Sequence, residues 1–76
     1  MKSLHFIIEE SNYAHAGISS IHRTKLEAYG ELLRLTGLYQ SEGAEVDVSM
    51  DGIVEVKTKD GFKQVYRYQH LASELF

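Results

Sequence analysis

The chain has 76 residues, 43% of them hydrophobic and 25% charged, with a formal net charge of −3 and no cysteine. A single globular domain over 1–76 is expected, and a domain of this size buries only about 60% of its unfolded surface. Disulfides and thiolate metal sites are excluded. With no apolar run near the ~18 residues a bilayer span needs and no signal-type leader, a cytoplasmic protein without membrane contact is expected.

The acidic balance argues against nucleic acid as the default partner, because neutralising phosphates takes a basic surface. The charge is uneven. Residues 1–51 sum to −4 and residues 52–76 sum to +1.

Leu4 to Glu10 reads as a first strand, with Leu4, Phe6 and Ile8 alternating and Ile7 on the other face. Ser11 to Gly17 is rich in small and turn-favouring residues and reads as a loop. Ile18 to Arg23 predicts a short second strand that pairs back on the first. If Glu10 pairs with Gly17, His5 stands opposite His22. Thr24 and Glu27 form a capping box, so a helix is expected from there to about Tyr39. On a helical wheel Leu26, Ala28, Tyr29, Leu32, Leu33, Leu35 and Tyr39 share one broad arc, with Glu27, Glu31 and Arg34 opposite. Gly30 and Gly37 each weaken that helix by about 1 kcal/mol, and Gly37 is a candidate stop.

Two Asp-Gly pairs, Asp51-Gly52 and Asp60-Gly61, separate alternating runs at Glu45–Ser49, Ile53–Lys59 and Phe62–Tyr68. Asp-Gly between such runs is a strong hairpin signal, because Gly takes positive φ without steric cost. The fold class is therefore α+β. It combines an N-terminal β-hairpin, one amphipathic helix and a three-stranded antiparallel meander, in the order ββαβββ, with the helix on one sheet face. Residues 70–76 either lie extended or form one helical turn.

Register decides which side chains face outward. A three-residue loop, Met50-Asp51-Gly52, places Val48 opposite Val54 and Val46 opposite Val56. A two-residue loop would mix valines with polar groups, so burial favours the former by roughly 3 kcal/mol. A two-residue loop at Asp60-Gly61 would set Val56 opposite Val65 and Glu55 opposite Tyr66. On that register Glu55, Lys57, Phe62, Tyr66 and Tyr68 share the uncovered face, as an aromatic and charged surface for a protein partner. Self-association through that face, as a homodimer, is the simplest variant.

The alternative is a weak single-stranded nucleic-acid binder through the basic and aromatic 57–68 hairpin. The run Asp60 to Tyr66 loosely resembles the aromatic strand of an RNA-recognition motif. It departs from that pattern at Lys63, where a small residue belongs, and at Gln64, where an aromatic belongs. No cofactor motif is present. His5, His15, His22 and His70 lack helical metal-pair spacing, so no metal is expected. No nucleophile elbow or paired-carboxylate geometry appears, and a non-catalytic role follows as inhibitor or adaptor. The format matches small host-interfering proteins of the phage type.

Overall fold

The computed structural model describes residues 2–12 and 15–74. In chain order the elements are β1 (Lys2–Ser11), β2 (Gly17–His22), α1 (Lys25–Ser41), β3 (Glu45–Val48), β4 (Ile53–Lys57) and β5 (Lys63–Ser73). All five strands form one antiparallel sheet in the order β2-β1-β5-β4-β3, with the helix against one face. The expected α+β class and element order are the observed ones. The stretch after Tyr68 is extended, and β5 pairs with β1 from Ser11↔Gln64 to Lys2↔Ser73. Leu75 and Phe76 lie outside the described residues.

The helix starts where the capping residues place it. Thr24 has extended backbone, and its hydroxyl accepts from the Glu27 amide at 3.1 Å. The return contact reaches one residue further back than expected, with the Arg23 amide donating to the Glu27 carboxylate at 3.3 Å. The first contact satisfies a donor that the opening helical turn leaves open, and the second ties the residue before the cap to that turn. Gly37 does not end the helix. The stop is Gly43, at φ 85°, where the Gly43 amide donates to Gln40 O and the Ala44 amide to Tyr39 O. That pair of bonds is a Schellman closure, which needs a residue in the left-handed region. Gly30 and Gly37 sit within the helix, and a methyl group added at either would meet nothing within 4 Å.

The buried core is Ile7, Ala28, Leu32, Leu35, Val54, Val56 and Tyr66, with Tyr29, Tyr39, Val46 and Tyr68 packed around it. Ala28, Leu32, Leu35 and Tyr39 follow the i, i+4, i+7, i+11 spacing of one helix stripe. The wheel arc expected from the sequence was too broad. Leu26 is 83% exposed and Leu33 69%, on the side of the helix away from the sheet. A single helix lying on one face of a sheet buries only the stripe that meets it, so the apolar residues beyond that stripe stay in water.

The two meander turns have the same build. Ser49 and Ile53 bracket Met50-Asp51-Gly52, with the Ser49 amide donating to Ile53 O at 2.8 Å and Gly52 at φ 78°. This is the expected three-residue loop, and it delivers Val48↔Val54 and Val46↔Val56. Thr58 and Phe62 bracket Lys59-Asp60-Gly61 in the same manner, with the Thr58 amide donating to Phe62 O at 2.9 Å and Gly61 at φ 91°. The expected two-residue loop is therefore corrected by one residue. Tyr66 pairs with Val54, Val65 with Glu55, and Arg67 with Ile53. The physical reason is burial. The two-residue register would put Lys63 and Arg67 beneath the helix, whereas the observed one puts Gln64, Tyr66 and Tyr68 there and leaves both cations in water. A tyrosine ring buries more area than valine, and its hydroxyl can be satisfied by a partner. The Asp60 carboxylate completes the loop by bonding the Thr58 hydroxyl and accepting from the Phe62 amide.

The N-terminal hairpin pairs His5 with His22, as expected. A bulge between Ile7 and Ile8 then shifts the register, so Gly17 pairs with Glu9 rather than with Glu10.

Candidate protein-docking surface

The register divides the five sequence-predicted residues between two sides of the sheet. Glu55 and Lys57 project from the face opposite the helix, because Val54 and Val56 between them are buried beneath it. Tyr66 and Tyr68 project on the helix side, and Phe62 is half-buried at the turn with the same alternation. These residues do not form one exposed surface. Tyr66 is 3% exposed and is a core residue in this fold.

The helix-side tyrosines are held by specific partners. The Tyr66 and Tyr39 hydroxyls share a hydrogen bond of 2.8 Å, and the Gln64 amide donates to Tyr66 Oη at 2.8 Å and to the Glu9 carboxylate at 3.1 Å. Burial, and after it the bond to Tyr39, pushes the Tyr66 phenol far above the ordinary tyrosine range. It therefore stays a neutral hydrogen-bonding group. Tyr68 packs on Tyr29 with ring centroids 5.1 Å apart and shares a 2.7 Å hydrogen bond with His5 Nδ1. Lys25 Nζ lies 5.5 Å from the Tyr29 ring centroid and 5.8 Å from that of Tyr68. His5 also stacks on His70, with centroids 4.8 Å apart. Among the described residues, no group of three or more His, Cys, Asp or Glu side chains is placed to hold a metal ion.

The opposite face differs in kind. From β1 it receives Leu4, Phe6 and Ile8, since Ile7 between them is fully buried under the helix. Their cross-strand neighbours are apolar only in part: Leu71 lies beside Leu4, Ile21 beside Phe6 and Ile18 beside Ile8, while on β5 Gln69 lies beside Phe6 and Arg67 beside Ile8. Ile18 is 60% exposed, Ile21 56% and Leu71 51%. Toward β4 and β3 the same face becomes charged. By register it carries Lys2, Lys57, Lys63 and Arg67 against Glu10, Glu45, Asp47 and Glu55, which sum to zero. The chain's −3 therefore resides elsewhere. A shallow hollow of about 330 Å³ lies at this charged corner, beside Asp47, Ile53 and Glu55. No helix among the described residues is long and apolar enough to cross a membrane.

Sequence reasoning found the alternation of Leu4, Phe6 and Ile8 but did not place it on the open face. That step needs the sheet order. With β1 joined to β5, Ile7 aligns with Tyr68 beneath the helix, and the larger apolar set is turned away from it. No known protein family, curated protein or solved structure matches the chain.

Proposed function

We propose that this chain is a non-catalytic protein-binding module, working inside the cell as an inhibitor or adaptor of the small host-interfering type, and that it docks through the outer face of its sheet. The observation that supports this reading is the inverted pattern of β1. Leu4, Phe6 and Ile8 point to the uncovered side, while His5, Ile7 and Glu9 lie on the helix side. An antiparallel sheet packed on one face ordinarily turns its polar set toward water. A contiguous exposed apolar patch on a small protein is the usual mark of a protein contact. Glu55 and Lys57 remain in this proposal as rim residues. Tyr66 and Tyr68 leave it because their rings pack on the helix side, and Phe62 leaves it because it is half-buried at the second turn.

The nucleic-acid alternative draws no support from this arrangement. Base stacking and phosphate pairing must act from one surface. Here Lys57, Lys63 and Arg67 face outward while Tyr66 and Tyr68 lie on the other side.

The test is affinity capture with tagged wild-type protein, Ile8→Lys and Leu33→Lys, each checked for folding by circular dichroism. The expected result is that wild type and Leu33→Lys retain the same bound protein and Ile8→Lys loses it. Equal capture by all three rejects the outer face as the docking surface.

A further inference from the structure

We infer that the occupant of the outer sheet face is a second copy of this chain, giving a dimer in which two sheets pack face to face with a helix on each outer side. The inference rests on the protein-binding reading above and names its partner.

Size is the first argument. With strands ~4.8 Å apart and a rise of ~3.3 Å per residue, the five-stranded sheet outlines a face on the order of 700 Å². A stable interface takes about 800 Å² from each partner. The whole face, its charged part included, comes close to that size, so a dimer of this kind would use the sheet from β2 to β3.

Charge is the second. A surface that meets its own copy must not repel itself, because in a two-fold contact the same patch occupies both sides. The outer face is neutral in sum: its apolar residues lie on β1 and β2 and at Leu71, Arg67 sits beside Ile8, Lys2 and Glu10 stand at the two ends of β1, and the other charges lie toward β3 and β4. The excess negative charge lies on the helix, the turns and the helix side of the sheet, where it faces away from a copy packed against the outer face.

The third argument is the thinness of the single layer. The buried core holds seven residues, all between the sheet and one side of the helix. A domain of this size with so small a core, and with no cysteine to form a disulfide, commonly gains stability by association. A second copy is always present at the concentration of the chain itself. A sporadic partner would leave Phe6 and its neighbours in water for most of the protein's life.

The experiment is mass determination by light scattering or sedimentation over a hundredfold dilution series. The expected mass is twice the 8.6 kDa of the chain. Phe6→Glu is expected to weaken association at least ~30-fold, the effect of losing a central interface residue. Should Phe6→Glu fail to fold, Ile21→Lys serves in its place. Ile21 lies on the sheet edge and is 56% exposed, so a lysine there leaves the protomer fold intact. A dimer lost in either variant and kept in Leu33→Glu supports the inference. A wild-type chain that stays at 8.6 kDa throughout overturns it, and the capture experiment above then judges the broader binding reading by itself. A dimer that survives both sheet variants, or that falls apart with Leu33→Glu, also overturns it and moves the contact to the helix.

Discussion

Beneath the helix the sheet presents Ile7, Val54, Val56 and Tyr66, each no more than 3% exposed, while on its reverse Ile18, Ile21 and Leu71 are more than half exposed. Both faces are rich in apolar residues, so apolarity alone does not explain which one the helix covers. The difference lies in what accompanies the hydrocarbon. On the covered side Tyr66, Tyr39, Gln64 and Glu9 form a connected set of hydrogen bonds, and Tyr68 bonds His5. On the open side the apolar neighbours of Phe6 are aliphatic, and the polar residues beside them, Gln69 and Arg67, are exposed to water. The first face is specified in detail by one chain. The second leaves its apolar side chains at Ile18, Ile21 and Leu71 more than half in water.

Three substitutions sharpen or break this contrast. The largest effect is expected from Leu32→Ala, which removes a buried side chain at the centre of the covered side. It should cost about 2–5 kcal/mol, read as a lower urea midpoint. A loss under about 1 kcal/mol would mean that the helix side is not the principal core.

Gly52→Ala comes next. Gly52 has φ 78°, and a methyl group there would stand 2.9 Å from the Tyr29 hydroxyl and 3.1 Å from Tyr68 Cβ. Strain and crowding together should cost about 1–3 kcal/mol. The equivalent Gly61→Ala is the control, since nothing lies within 4 Å of its added methyl and only the φ of 91° penalises it. Equal losses in the two variants would show that the tyrosine pair does not press on the first turn.

The smallest effect is expected from Tyr66→Phe. It keeps the ring and removes the hydroxyl that joins Tyr39 and Gln64, costing about 1–2 kcal/mol in thermal or urea unfolding. An unchanged midpoint would mean that the hydroxyl network adds nothing to what ring packing already provides.

Much of the fold was legible in the residues. Thr24 and Glu27 marked the helix start, and valine burial selected the register of the first turn. The second turn was misread because Asp60-Gly61 suits a two-residue or a three-residue loop equally well by local chemistry. The choice rests on where Lys63 and Arg67 end up, which is a tertiary matter. The helix arc was misread for a related reason. Leu26 and Leu33 lie within about 60° of Tyr29 on a wheel and so extend its arc there, yet the sheet reaches only the Ala28–Leu32–Leu35–Tyr39 stripe. The slip at the second turn alone put the tyrosines on the open face, and the place of Leu4, Phe6 and Ile8 there was a separate matter. The composition of the outer surface thus depended on the pairing of β1 with β5, residues far apart in the chain, which no local pattern reports.

That pairing also governs how the molecule assembles. Among the described residues β5 is the strand that joins the two hairpins, with β1 on one flank and β4 on the other. Until it inserts, β1–β2 and β3–β4 are separate ribbons, and an isolated two-stranded ribbon is marginal in water. The joint between Lys2 and Ser73 closes nearly the whole length of the chain. Closure over such a distance slows folding, since the entropy of the loop is lost before the contacts form. The helix and the tight turns should therefore organise early, with the middle strand arriving last and fusing two half-sheets into one cooperative unit.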